Sequence, residues 1–278
     1  MLTRRTLLQS LLLYRIAEAG ADALIDLERK SGGRLGVAIL DTGNRKRLAH
    51  RAGERFPMCS TFKFLAAAAV LARVDRKQET LERRIPFTKA DLLEYAPVTT
   101  PRVGDGAMPL GDLCEAAVTM SDNTAANLLL ATFGGPKGLT AYARSIGDRV
   151  TRLDRNEPTL NEATPGDPRD TTSPTAMLTT MKTLLLGSAL TPASREKLTG
   201  WLVANKTGNA RLRAGIPAGW RVGDKTGTGN HGATNDIGIL FPPNRKPILV
   251  AAYLTESNAA TAVREGVLAD VGGIAAHR

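Results

Sequence analysis

Arg221-Val-Gly-Asp-Lys-Thr-Gly227, Thr234-Asn-Asp-Ile-Gly-Ile-Leu-Phe241 and Pro247-Ile-Leu-Val-Ala-Ala-Tyr-Leu254 are three short, mostly apolar runs separated by turn residues. Runs of this length, bounded by Gly, Pro and Asn, read as consecutive strands. Near the other end of the chain, Leu35-Gly-Val-Ala-Ile-Leu-Asp41 repeats the pattern, and the turn Thr42-Gly-Asn44 followed by Arg45 to His50 makes a β-hairpin. Strands therefore flank the chain, and what lies between them is helical. Ser60 to Val74 is a breaker-free run of Leu and Ala, the composition of a buried helix. Further helices are expected at Leu110 to Thr119, Asn123 to Phe133, Gly135 to Ile146, Ser173 to Leu186 and Pro192 to Asn205, with a last one from Ala260 to Ala276. This order predicts an α/β protein of the α+β kind, in which segments 22–56 and 206–278 share one sheet and 57–205 forms an all-helical insertion.

A chain of 278 residues is long enough for a large core, as one big domain or two modest ones. Its 42% hydrophobic and 23% charged residues are globular values, which excludes disordered and fibrous classes. No stretch reaches the roughly 18 apolar residues of a membrane span. Cys59 and Cys114 allow at most one disulfide, and His50, His231 and His277 show no metal-ligand spacing, so neither a disulfide scaffold nor a zinc site is expected. The net charge of +10 is spread along the chain and aromatics are only 4%, so it speaks to solubility rather than to nucleic acid.

The N-terminus carries Arg4-Arg5 ahead of the apolar stretch Thr6 to Tyr14, which Arg15 closes. This is the order of a twin-arginine export signal in residues 1–21, with Ala17-Glu-Ala19 or Ala19-Gly-Ala21 as the cleavage site. The alternative is a plain amphipathic helix from Leu11 to Lys30. The expected destination is the periplasm or the exterior, with no membrane contact in the mature form.

Three short motifs carry chemistry. In Ser60-Thr-Phe-Lys63, positions i and i+3 of a helix share a face, so the lysine amine can sit beside the hydroxyl and take its proton. Taken alone this is weak, because Ser is a common N-cap and Lys a common surface residue. Ser121-Asp-Asn123, just ahead of a helix, is equally a capping turn. Lys225-Thr-Gly227, followed by Thr228-Gly229, is either a strand end or a place where a ligand carboxylate approaches the backbone. Chance yields each one cheaply, but not all three in this order and spacing. Between them, Leu153 to Thr172 is an irregular stretch dense in Pro, Gly and acidic residues, a length that is usually functional.

From about Leu24 to its end the chain resembles the class A serine β-lactamases, for which these three motifs are the catalytic set. Arg155-Asn-Glu157-Pro-Thr-Leu-Asn161-Glu-Ala-Thr-Pro-Gly-Asp-Pro-Arg-Asp170 is similar to the omega loop of that family. The resemblance implies an antiparallel five-stranded sheet flanked by helices, plus an all-helical domain, with the site between them. It also implies hydrolysis of the β-lactam ring of penicillins and cephalosporins by a monomer that needs no cofactor and no metal. Ser60 then corresponds to the acylating nucleophile, and Lys63 and Glu157 to the two candidate bases for its proton. Ser121 corresponds to the proton relay to the leaving nitrogen, and Asn123 to the amide that binds the substrate side chain. Glu157 and Asn161 would hold the hydrolytic water, and Arg155 with Asp170 would close the loop. The backbone N–H groups of Ser60 and Thr228 match the oxyanion hole, while Lys225, Thr226 and Thr228 face the substrate carboxylate. Lys225 matches equally well a residue that tunes Ser121. Tyr95 resembles the aromatic at the cleft rim.

Three departures from the family pattern bear on function. Thr234 stands where many members carry a carboxylate-binding arginine, and Arg211 matches the arginine that some members use instead. Cys59 and Cys114 face Gly229 and Ala67 where their partners stand in other branches, so both thiols are expected to be free. Three rivals share part of this signature. A D-Ala-D-Ala peptidase would lack a deacylating carboxylate, and Glu157 argues against it; a β-lactam sensor would acylate and stay acylated, and turnover of a chromogenic cephalosporin separates the two. A general serine esterase would need a Gly-x-Ser-x-Gly elbow, which Ser60 lacks.

Overall fold

The computed structural model describes residues 20–278. The export signal expected in residues 1–21 therefore falls, apart from its last two residues, outside the described part. Helix α1 (20–31) leads into strands β1 (Arg34–Asp41) and β2 (Arg47–His50), followed by the two-residue strand β3 (Phe56–Pro57). Helix α2 (Phe62–Asp75) begins directly after a 3-10 turn at Cys59–Thr61. Then come β4 (Arg84–Pro86), β5 (Ala107–Pro109) and helices α3 (Leu110–Thr119), α4 (Asn123–Ala131) and α5 (Gly135–Ser145). Past β6 (Thr171–Thr172), helices α6 (Pro174–Leu185) and α7 (Pro192–Val203) precede β7 (Arg221–Thr228), β8 (Thr234–Phe241), β9 (Ile248–Thr255) and α8 (Thr261–Ala276).

The sheet is five-stranded and antiparallel in the order β2-β1-β9-β8-β7, so the first and last strands of the chain meet at its centre. Both faces of the central strands are covered, which is why they read as continuous apolar runs rather than alternating ones. Alternate side chains still separate two cores. Leu35, Val37, Ile39, Val250, Ala252 and Leu254 pack with Leu24 and Leu27 of α1 and Val267, Leu268 and Val271 of α8. Ala38, Leu40, Leu249, Ala251 and Tyr253 face the larger core built around α2. Helix α2 is buried on every side from Phe62 to Ala72, as its uniform Leu/Ala composition demands.

The expected fold class is the one observed. Helix boundaries differ from the expected ones by a residue or two: Ser173 lies outside α6 as its cap, its hydroxyl accepting from the Ala176 N–H, while α7 begins at Pro192 as expected, with the Thr191 hydroxyl accepting from the Ser194 N–H. Two small ribbons, β3 with β6 and β4 with β5, were not foreseen, because two or three residues show no period. The β3–β6 pair matters for function. It ties the end of the 153–172 loop to the strand that leads into Ser60.

Candidate active site

The nucleophile candidate is positioned from two directions. Cys59 has a left-handed backbone (φ 44°), a rare and strained conformation for a side-chain-bearing residue, and it swings Ser60 into the 3-10 turn ahead of α2. On the far side, Gly227 of β7 comes so close that a Cβ there would lie 2.7 Å from the Met58 carbonyl and 3.2 Å from the Cys59 Cβ. Only glycine lets the sheet edge meet this turn. Asn235 of β8 donates through Nδ2 to the carbonyls of Pro57 (2.9 Å) and Met58 (3.2 Å), fixing the same segment.

Lys63 is fully buried one turn along, so it is not a surface lysine. Its Nζ lies 2.9 Å from Ser60 Oγ, 2.8 Å from the Ser121 carbonyl, 2.6 Å from Asn123 Oδ1 and 3.0 Å from Glu157 Oε1. Burial holds its pKa below the ordinary lysine value, with the Glu157 carboxylate opposing that shift. Ser60 Oγ is also 3.3 Å from Glu157 Oε1, so lysine, serine and carboxylate form a closed triangle.

Ser121-Asp-Asn123 satisfies both of its readings. The Asp122 carboxylate caps α4 by accepting from Ala125 N–H, and it also accepts from the N–H groups of Val98 and Thr99. Ser121 takes a left-handed backbone (φ 56°), which turns its hydroxyl to Lys225 Nζ at 3.0 Å. Asn123 N–H donates to the Tyr95 carbonyl at 3.0 Å, and this contact places Tyr95, half exposed, at the rim. Lys225 is fully buried, and burial together with the Lys63 charge pushes its pKa well below the usual lysine value.

Asp170 Oδ1 accepts from the N–H groups of Asp154 (2.7 Å) and Arg155 (3.0 Å), and its Oδ2 accepts from Arg155 Nε at 2.6 Å. That closes the neck of the 153–172 loop. Within it Asn161 Nδ2 donates to Glu157 Oε2, and among the described residues Asn161 Oδ1 is buried without a protein partner. Asn127 of α4 was not singled out from the sequence. Its side chain donates to the Glu157 carbonyl and accepts from the Glu157 N–H, both at 3.0 Å, clamping the carboxylate-bearing residue to the helical core. A lone asparagine one turn beyond Asn123 carries no sequence signal.

Arg211 is buried, 5% exposed, and not a surface charge. It donates to the carbonyls of Gly227 and Asn235 (both 2.9 Å) and to Thr228 Oγ1 (2.8 Å), and pairs with Glu265 at 3.3 Å. Thr234 does not join the cleft: it is buried under Arg264, whose Nε donates to its hydroxyl at 3.1 Å. Cys59 and Cys114 are free and buried, and burial pushes the Cys59 thiol up to about 12. The direction a Gly229 Cβ would take ends 2.7 Å from Cys59 Sγ.

These residues surround one cleft of about 370 Å³ at the seam between sheet and helices. Ser60, Tyr95, Ser121 and Asn123 line it from the helical side and Asn161 from the loop. Arg211, Thr226 and Thr228 line the sheet edge, together with Thr207, which the sequence did not flag. Lys63, Glu157 and Lys225 lie buried against this wall.

The chain matches the Beta-lactamase enzyme family over residues 19–276. It is 47% identical to β-lactamase CTX-M-97 of Escherichia coli, over 100% of this chain and 95% of that one. It is 48% identical to β-lactamase CTX-M-8 of Citrobacter amalonaticus, over 95% and 90%. The solved structure of an ancestral class A β-lactamase (GNCA) superimposes with a TM-score of 0.90 at 64% identity, covering 92% of this chain and 98% of that one. With motifs, fold and relatives in agreement, the chain belongs to the β-lactamase enzyme family, as a class A serine β-lactamase.

Proposed function

We propose that this chain opens penicillins and cephalosporins by acylating Ser60 and then hydrolyses the ester with a water activated by Glu157, giving β-lactam resistance. The observation that carries the reading is the Ser60–Lys63–Glu157 triangle, with contacts of 2.9, 3.3 and 3.0 Å. In acylation the Ser60 proton passes to Lys63 or Glu157 as Oγ attacks the lactam carbonyl. Burial lowers the Lys63 pKa while the Glu157 carboxylate opposes that shift, and both groups lie within reach of the hydroxyl, so either can take the proton. The C–N bond breaks, and the leaving nitrogen takes a proton from the Ser121 hydroxyl, which is restored by the proton taken from Ser60, handed on by Lys63 Nζ at 3.4 Å, while Lys225 Nζ donates to the same oxygen at 3.0 Å.

Developing negative charge on the carbonyl oxygen falls at the N–H groups of Ser60 and Thr228. Strand β7 is the edge of the sheet, so part of its backbone is free to receive substrate. In deacylation Glu157 removes a proton from water, Asn161 Oδ1 accepts the water's second hydrogen bond, and attack on the ester returns the Ser60 hydroxyl. Arg211, Lys225, Thr226 and Thr228 present positive charge and hydroxyls to the substrate carboxylate. Asn123 and Tyr95 meet its side chain. Each step is carried by groups of the chain itself. A penicillin-binding peptidase or sensor would lack a carboxylate held at the acylated serine, and here Glu157 is fixed there by Asn127, Asn161 and Lys63.

We further propose a chain in two parts, sheet segments 22–56 and 206–278 and helical segment 57–205, the latter including an omega loop at 153–172. It works as a monomer after twin-arginine export to the periplasm or the exterior. No helix among the described residues is long and apolar enough to cross a membrane. Turnover of a chromogenic cephalosporin by the parent, and its loss in Ser60→Ala, tests the reading. A parent that releases a single equivalent and stops is a penicillin trap instead.

A further inference from the structure

The turns that join β1 to β2 and β8 to β9 lie side by side at the end of the sheet away from the cleft. Thr42 donates to the Pro247 carbonyl through both its N–H (3.1 Å) and its hydroxyl (2.7 Å). Arg245 Nη2 donates to Asp41 Oδ2 at 2.8 Å and to the carbonyl of Arg278, which brings the end of α8 to the same place. Asp41 and Arg245 stand 204 positions apart in the chain. The +10 charge is spread along the sequence, and the fold gathers Arg45, Lys46, Arg47, Arg245, Lys246 and Arg278 at this one end.

Four of these cations are unmatched. Arg45, Lys46, Arg47 and Lys246 are exposed, and among the described residues their side chains make no hydrogen bond or ion pair; the carboxylate at this end, Asp41, is taken by Arg245. Elsewhere Arg29, Arg83, Arg102, Arg152 and Arg169 each pair with an acidic residue nearby in sequence. Crowded like charges repel, and an anionic partner offsets that repulsion. The cluster sits on exposed turns rather than in a cleft, so it suits an extended surface more than a small ion. Nucleic acid fits less well, because Tyr95, the one largely exposed aromatic among the described residues, stands at the cleft rim and cannot stack on a base here. A second observation points to lipid. A Cβ on Gly20 would fall on the Arg278 guanidinium, so residues 1–19, with the apolar run Thr6 to Tyr14, join the molecule at this same end.

We propose that this basic end docks reversibly on the surface of an anionic phospholipid bilayer. That replaces the expectation of no membrane contact with a peripheral one. A basic patch alone gives a weak, salt-sensitive association, and a patch joined to an apolar segment a lasting one. The chain is held firmly while residues 1–19 are attached and loosely without them. Strand β7 runs from Arg221 at this end to Thr228 in the cleft, eight residues or roughly 24 Å at about 3.4 Å each, so the docked molecule turns its cleft away from the bilayer.

The test is co-sedimentation of the full chain with phosphatidylcholine vesicles that contain or lack phosphatidylglycerol, at low salt and again near 1 M salt, where the Debye length shrinks to about 3 Å. A lysine or arginine near an anionic surface is worth about fivefold in affinity, so four of them are worth at least about a hundredfold. The parent should prefer the anionic vesicles by that factor at low salt, and high salt should erase the preference. Changing Arg45, Lys46, Arg47 and Lys246 together to Gln should remove it as well, while the same change at Lys89, Lys137, Arg149 and Lys197 of the helical part should leave most of it. Equal losses in the two variants mean that net charge alone acts, and overturn the proposal. Equal binding of the parent to neutral and anionic vesicles overturns it too, since the apolar run alone then acts. Tighter binding to a DNA duplex than to anionic vesicles makes nucleic acid the partner and also overturns it. If the first variant does not fold, the four single changes decide: each should cost about fivefold, and parent-like binding in all four overturns the proposal. Turnover of a chromogenic cephalosporin should be the same with and without anionic vesicles, and its loss on docking would overturn the orientation.

Discussion

Cys59 and Ser121 each sit in the left-handed region of backbone space, directly before and at the two serines of the site. Non-glycine residues are held there only where neighbours over-determine them, and here the helical core, β7 and β8 do so. The motifs were legible in the sequence only together: helical spacing sets Lys63 beside Ser60, but that pair alone is equally a cap and a surface lysine. Ser121 and Asn123 were legible only in company with the other two motifs, since Asp122 between them is an ordinary cap. Thr207 and Asn127 were not legible, as each meets the site through a partner 19 or 30 positions away. Replacing Ser60 by Ala should cost roughly three or more orders of magnitude in turnover while the fold survives, since the covalent route is removed; steady-state rates beside a thermal melt check it. Lys225 gives a pH prediction. Its ammonium must be charged to face a carboxylate, and burial plus the nearby Lys63 charge make it lose its proton early as pH rises. The alkaline fall in kcat/KM for penicillins should therefore come below the value of about 10.4 for a free lysine, and Lys225→Arg should move it upward. A limb in the parent at or above the free-lysine value contradicts this.

At the scale of elements, the 153–172 loop is held at its neck, middle and end. Asp170 closes the neck, Asn127 clamps Glu157, and β6 pairs with β3 next to Ser60. The Asn230 N–H donates to the Asn161 carbonyl at 2.9 Å, which joins the loop to the turn after β7 as well. The sequence showed that this stretch was irregular and long. It could not show that α4 holds it, because the two hydrogen bonds involved use the Glu157 backbone, which any residue possesses. Asn127→Leu should lower turnover by roughly tenfold to a hundredfold through misplacement of Glu157 by a fraction of an ångström to an ångström. It should also cost about 1–3 kcal/mol of stability, from backbone groups left unpaired. Single-turnover acylation should suffer less than steady-state turnover. Equal losses in the two would mean that the clamp serves the whole cleft rather than the loop.

Across the whole molecule, the sheet separates two cores, and the cleft opens where its edge strand β7 meets the helical part. Phe56 links the pieces: it is fully buried, its ring fills the space a Gly36 side chain would need, and the Arg34 guanidinium stacks on it at 4.4 Å. Phe56→Ala should destabilise the fold by about 3–5 kcal/mol, read from denaturant unfolding, with near-parent kcat in the fraction that remains folded. The sheet order was legible in outline from strands at both ends of the chain, because termini that read as strands must pair to bury their apolar faces. The meeting of sheet edge and loop was not, since it depends on the close approach at Gly227 and on Asn235 reaching Pro57 and Met58. That meeting creates the central claim, a serine ester hydrolysed by a carboxylate on a clamped loop. The most direct measurement is intact-protein mass spectrometry of Glu157→Gln after mixing with a penicillin. The amide keeps the shape and loses the base, so deacylation should suffer more than acylation. A covalent adduct of the penicillin mass should accumulate on Ser60, with little product released. Parent-like turnover with no adduct would contradict the account and assign deacylation to another residue.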